Sequence, residues 1–314
     1  MTEQDERAAV SAHYTSGDLG EKILAGLRAA GKDPDALTLD DLTPVDQFHL
    51  GGKPATLQLI ERAGFRPGMH VLDVGGGLGG PARTLASEAG CTVTVVDLSE
   101  EFCRIGAMLT ARTGLSGGVT FQHGSALDLP FADGSFDAAW TQHATMNIAD
   151  KERLYEEIHR VLRPGGRLAM HDAMAGPVQP IHFPVPWARD PSISFLRSSE
   201  AIRTLLADIG FREVEWVDER EKIVAAWDST TGRNGVPRDA GECWAQSSGE
   251  SPHDHSGRLR AALMWRNGFR KGKGHRAVRC PIAFSLLAVH WAFCCSIPAS
   301  WHATVGRGAI AVRR

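Results

Sequence analysis

None of the six cysteines stands in a Cys-x-x-Cys pair, which excludes the spacing of a zinc ribbon or a thiol-redox motif. Cys91 and Cys103 are therefore expected to be buried, inert thiols. The opening decapeptide MTEQDERAAV is acidic and lacks the basic-then-apolar build of a secretory leader, so a cytoplasmic location is expected. There is no internal repeat. The apolar run at 280–299 carries His290 near its middle and prolines near both ends, so no membrane span is expected there. Acidic residues are missing from positions 255–314, which hold 11 Lys or Arg, while the first 254 residues hold 23 basic and 37 acidic ones. The formal net charge of −3 gives no general attraction to nucleic acid or an anionic membrane. The acidic balance of the patterned region is opposite to a nucleic-acid footprint.

What is present is a strand–helix alternation from about residue 70 to 220. HVLDV (70–74), TVTVVD (92–97), VTFQH (119–123), FDAAWTQ (136–142), RLAMHD (167–172) and REVEWVD (212–218) read as strands. Helices separate them: one opens near Pro81 and closes at Gly90, and Ser99 can cap the next. A third has its apolar stripe at Leu154, Ile158, Val161 and Leu162, and a fourth ends at Gly210. The Arg-Pro-Gly-Gly of 163–166 is a turn leading into the fifth strand. Short connections of this kind argue for a doubly wound, mostly parallel α/β sheet in three layers. The expected organisation is a helical lid segment over 1–64, a ligand-binding domain over 65–228, and an irregular tail over 229–314. The tail loses all periodicity and has the composition of a frameshifted or otherwise replaced C-terminus. A sixth strand is readable, but GRGAIAVRR at the end is too short to be expected as a seventh.

The stretch VLDVGGGLGG (71–80) concentrates the chemistry. Its glycines satisfy both G-x-G-x-x-G (Gly75, Gly77, Gly80) and G-x-G-x-G (Gly75, Gly77, Gly79). Both patterns let a ligand approach the backbone where a side chain would block it. Asp97 ends the second strand, where an acid can hold ribose hydroxyls in either a dinucleotide or an S-adenosylmethionine (SAM) site. Asp73 separates the two: an acid before the loop can receive the ammonium of an amino-acid cofactor and would repel a pyrophosphate. HGSALDLPF after the third strand and VLRPGGRL before the fifth complete a set that resembles the class I SAM-dependent methyltransferases. The likeness is to the small-molecule branch holding sarcosine/dimethylglycine N-methyltransferases and tocopherol- and phosphoethanolamine-methylating enzymes, and covers about residues 40–225.

The resemblance implies SAM as cofactor and a small-molecule acceptor. Carried over position by position, Asp73, Gly75, Gly77 and Gly79 would face the methionine end, Asp97 the ribose, and Leu98 the adenine. Ser125, Ala126 and Leu127 would lie along the adenine edge and face. Ser125 departs from relatives, which often have Asp there, and so loses charge assistance. Gln142 is a cofactor contact by position, and Gln47 belongs with Asp46 and His49 to a segment that closes over the cofactor in the family. Relatives often have an acid at the place of His143 and a histidine at that of Asn147, so the acceptor itself does not carry over. His143 and His49 are candidate proton-handling groups. The long loop 175–196, with Phe183 and Trp187, reads as an acceptor lid whose aromatic faces could hold a cation or equally serve as plain core packing. His171, on the fifth strand, is a third candidate for the acceptor side. The acceptor atom stays open between amine, hydroxyl and activated carbon, and the protein is expected as a monomer or homodimer. The same-fold alternative is an NAD(P)-dependent oxidoreductase, and a further one is a SAM-binding protein inactivated by its tail.

Overall fold

The computed structural model describes residues 5, 9–10, 17–47, 49, 51–177, 180–181, 183, 185–219 and 305–314, with backbone alone for 305–313. In chain order come helices α1 (Leu19–Ala29), α2 (Leu39–Asp46) and α3 (Gly52–Ala63), then β1 (His70–Val74), α4 (Gly80–Ala89), β2 (Thr92–Asp97), α5 (Glu100–Arg112), β3 (Val119–His123) and β4 (Phe136–Gln142). A 3₁₀ turn (Thr145–Asn147), α6 (Lys151–Val161), β5 (Leu162–Ala175), α7 (Ser199–Ile209), β6 (Arg212–Asp218) and β7 (Val305–Arg313) follow. The strand order is β3-β2-β1-β4-β5-β7-β6. β1 to β5 run parallel, and β7 lies antiparallel between β5 and β6.

Apolar strands covered on both faces explain the layering. Leu72 and Val74 of β1 pack with Leu154, Ile158, Ile202 and Leu206 of α6 and α7. Val71 instead joins Leu59, Ala63 and Leu85 of α3 and α4 with Trp140 of β4. The chain reverses its direction of winding at β1 and β4, so a crevice opens beyond their carboxyl ends, where ligands of such sheets bind. The helix ends are set as the sequence suggests: Ser99 accepts from the Phe102 amide at 3.2 Å, and Gly210 closes α7 with φ +109°.

Three elements differ from the sequence expectation. β5 is longer than 167–172. Its pairing with β4 begins at Leu162, slips at the Pro-Gly-Gly, where Gly165 has φ +78°, and resumes at Arg167. The segment around Asp46 and Gln47 was given no helix of its own; a capping box between Thr38 and Asp41 starts α2 there, with Pro44 inside it. The correction of most consequence is the seventh strand. Val305–Arg313 forms nine register pairs with β5, from Arg167↔Arg313 to Ala175↔Val305. Glycine, alanine and arginine give such a segment little strand propensity, and a ladder on each side supplies what composition lacks. It comes from the stretch expected as irregular; residues 229–304 of that stretch, the replaced-terminus reading of them, and the apolar run at 280–299 lie outside the described residues. No helix among the described residues is long and apolar enough to cross a membrane.

Candidate active site

At the cofactor end, the loop after β1 is shaped by what it must avoid. Gly75 has φ +71°, and a Cβ there would come within 2.5 Å of Ala144 Cβ in the turn after β4. At Gly76 a Cβ would lie 2.5 Å from Asp73 Oδ2. The loop therefore lies directly against both the acid and the β4 turn. Its amides are ordered by neighbours: Gly75 donates to Val96 O at 2.8 Å, and Gly77 donates to Asp97 Oδ2 at 2.9 Å. Asp97 Oδ1 accepts from Ser99 N at 2.8 Å, so the carboxylate that should face ribose hydroxyls is held from behind by two amides. Burial is the leading cause of its raised pKa.

Asp73 is 1% exposed, and its Oδ2 has no hydrogen-bond partner among the described residues. Burial, together with the charge of Asp97, pushes its pKa up to about 8. A buried carboxyl oxygen left without a donor carries a desolvation cost that a cationic ligand removes. The acid, its unmatched oxygen and a loop with no room for side chains fit the amino-acid end of SAM.

The adenine-side positions are also in place. Leu98 is half-buried and its carbonyl accepts from His123 Nε2 at 3.1 Å. Ser125 Oγ accepts from the Leu127 amide at 3.1 Å, so this hydroxyl already orders its own turn, while Ala126 and Leu127 pack on the α6–α7 core.

The lid segment is tied to this loop by a buried ion pair. Arg83 of α4 donates to Asp46 Oδ2 at 2.7 Å, with side chains 0% and 3% exposed. Its guanidinium also reaches Leu78 O and Thr110 Oγ1. A Cβ at Gly80 would lie 2.2 Å from Asp46 O, so α2 ends in contact with the start of α4. Gln47, next in the chain, donates to Thr84 Oγ1 at 3.0 Å.

At the acceptor end the three candidate histidines meet. The His49 and His143 rings stack with centroids 5.7 Å apart, and His143 meets His171 edge-on at 4.9 Å. Gln142 lies among them, its amide nitrogen 3.3 Å from His49 Nδ1 and 3.4 Å from His171 Nδ1. His143 has φ +53° and is the one non-glycine residue with positive φ among those described. Such a backbone persists only where surroundings impose it, and it clusters at functional sites. The constraint here is visible: His143 N donates to His171 O at 2.9 Å. Asp172 Oδ2 accepts from Thr145 N at 2.8 Å, and the Lys151 ammonium donates to Thr145 O at 2.6 Å and to Ile148 O. Burial lowers the Lys151 pKa to about 8. Asp172 thus satisfies the turn.

Phe183 and Trp187 are found in the loop after β5, in a small core with Met146, Val185 and Ile193. Trp187 is 3% exposed and its Nε1 donates to Ser194 Oγ at 3.0 Å. Its ring is spent on holding the loop together. Asn147 pins that loop to the β4 turn, donating to Trp187 O at 3.0 Å and Ile193 O at 2.7 Å. Two groups were missed in the sequence. Glu219, just past β6, lies 3.3 Å from His171 Nε2 through Oε2, and nothing local marks it. Thr56, an ordinary helix residue by its neighbours, places its Oγ1 2.9 Å from Gln47 Oε1, 3.1 Å from His49 Nε2 and 3.2 Å from Gln142 Oε1. No group of His, Cys, Asp and Glu among the described residues is arranged to hold a metal ion.

With this geometry in view, the comparisons resolve the choice between the two ligands. Residues 72–170 match the family model described as "Methyltransferase domain". An O-methyltransferase of Pyrenophora dematioidea is 30% identical over 209 residues, 66% of this chain and 76% of the relative. A sarcosine/dimethylglycine N-methyltransferase of Halorhodospira halochloris is 30% identical over 213 residues, 66% of this chain and 72% of the relative. The fold is similar to that of Haemonchus contortus phosphoethanolamine N-methyltransferase 2, with a TM-score of 0.59 at 18% identity over 88% of this chain and 58% of that one. The chain belongs to the class I SAM-dependent methyltransferases. It is an enzyme that uses SAM and acts on small molecules.

Proposed function

We propose that the enzyme methylates a hydroxyl group of its small-molecule acceptor, with His143 as the general base. The observation that carries this reading is the placement of His143. Its imidazole sits between those of His49 and His171, and the next residue, Ala144, abuts Gly75 of the cofactor loop. Asp73 receives the cofactor's ammonium, Gly75, Gly77 and Gly79 its methionine end, and Asp97 its ribose hydroxyls. Leu98, Ser125, Ala126 and Leu127 take the adenine. Bound there, the cofactor supplies an electrophilic methyl group. His143 takes the acceptor's proton as the hydroxyl oxygen attacks, so that the products are a methyl ether, the demethylated cofactor and an imidazolium that returns its proton to solvent. The lid segment with Gln47 and His49, and the loop after β5, keep water from the reacting centre. An imidazole-lined acceptor end suits a neutral hydroxyl better than an anionic headgroup, and relatives such as the Pyrenophora protein are named O-methyltransferases.

The test is transfer from methyl-tritiated SAM to parallel panels of hydroxyl, amine and carbon-acid acceptors, followed by mass spectrometry of the product. Methyl on nitrogen or carbon in the best acceptor would refute the hydroxyl reading. The acidic balance of the first 254 residues supports a free small molecule as substrate in the cytoplasm, with no nucleic acid bound. A monomer or homodimer is expected in light scattering.

A further inference from the structure

The hydrogen-bond partners around Gln142 determine where the protons sit on two of the three histidines. Thr84 Oγ1 donates to Gly80 O at 3.0 Å, so it must accept from Gln47 Nε2 at 3.0 Å. That fixes the Gln47 amide and leaves its Oε1, an acceptor only, 3.1 Å from His49 Nε2. His49 therefore carries its proton on Nε2 and presents a lone pair at Nδ1. At that lone pair stands the Gln142 amide nitrogen, 3.3 Å away, a group with two protons and nothing to accept with. Its second proton points to His171 Nδ1 at 3.4 Å, while Gln142 Oε1 accepts from Thr56 at 3.2 Å. His171 then carries its proton on Nε2 as well, and that nitrogen faces Glu219 Oε2 at 3.3 Å.

We infer that Gln142 is a positioning residue whose carboxamide holds His49 and His171 as neutral imidazoles protonated on Nε2, one on each side of His143, with the Glu219 carboxylate near the Nε2 of His171. The inference rests on the reading of His143 as the base and deepens it. A cationic neighbour would oppose the arrival of a proton on His143; two imidazoles held neutral leave it able to accept one. Gln142 acts through its neighbours in this scheme, and a direct role in proton transfer is not required of it.

The experiment is a two-bond proton–nitrogen correlation spectrum of the full chain labelled with nitrogen-15 in its 13 histidines, at pH 8. It is recorded with and without S-adenosylhomocysteine. His49→Asn and His171→Asn identify the two spin systems by loss. Each should show a pyrrole-type Nε2 and a pyridine-type Nδ1. In Gln142→Leu both should move to averaged shifts, and Glu219→Gln should move His171 while leaving His49 in place. A proton on Nδ1 of either residue in the unaltered protein overturns the proposal, and so does averaging there, whether or not the variants fold. Tautomers unchanged in a folded Gln142→Leu protein would do the same. Failure of S-adenosylhomocysteine to bind would count against the cofactor site instead, because the tautomers are read in the free protein too.

Discussion

The two ends of the proposed active site are built by different means. The cofactor end is made of backbone: glycines whose missing side chains leave room, amides directed at Asp97, and one buried acid. The acceptor end is made of side chains from four separate elements that meet around Gln142. Backbone recognition depends on short, fixed spacing. A side-chain cluster can be rearranged one residue at a time, which is how a shared cofactor serves many acceptors.

Changes at each end should separate the two. The largest effect is expected from His143→Gln, which should slow methyl transfer about 10²–10⁴-fold while calorimetry shows SAM binding retained; equal losses in both would erase the distinction. Next comes Arg83→Leu. It leaves Asp46 buried without its ion partner, and urea denaturation should show a loss of about 3–5 kcal/mol. Asp73→Asn should weaken SAM binding by about 1.5–3 kcal/mol in the same calorimeter, while removing a buried acid whose pKa is pushed up to about 8 should raise the thermal stability of the free protein at neutral pH.

The raised pKa of Asp73 gives a pH signature. Its folded value of about 8 exceeds the ordinary 3.8. In the free protein this group favours folding fully below pH 4, and that contribution is lost as the pH rises toward 8. An ammonium ligand selects the ionised form, so SAM should bind more tightly from pH 6 to 7.5, by up to about tenfold per unit. Proton release should be seen as a buffer-dependent binding enthalpy; enthalpies equal in phosphate and Tris would contradict it. The smallest change is expected from Ser125→Asp, which restores a charged acceptor at the adenine edge and should tighten SAM binding a few-fold.

How much of this could be read in advance follows the same division. The spans His70–Val74, Thr92–Asp97, Val119–His123, Phe136–Gln142 and Arg212–Asp218 match the sequence reading: the central ones, buried on both faces, are short apolar runs, and Val119–His123 and Arg212–Asp218, at the two sheet edges and mostly exposed, are marked by β-branched and aromatic residues. Asp73 and Asp97 could be singled out because of their distance from the glycines, and the structure places both against the glycine loop. His49, His143 and His171 could be named one by one, whereas their meeting depends on where α2, β4 and β5 end in space. For Trp187 the sequence left pocket wall and core packing equally open; its Ser194 bond and buried surroundings could be seen only in the structure. β7 was hidden because its evidence is in its neighbours.

The position of β7 also bears on how the molecule reaches its native state. It fills the gap between β5 and β6, yet residues 219–304 separate it from β6 along the chain. Joining strands so far apart in sequence costs little more free energy than joining ones a moderate distance apart, since the closure entropy grows only with the logarithm of the separation. The cost falls on the rate, because distant pairings form slowly. Until β7 arrives, β5 and β6 each present an unpaired edge inside what will be a continuous sheet. Refolding from urea should therefore show a late phase in which those edges disappear, and chains crowded together before it should be prone to lend each other the missing strand.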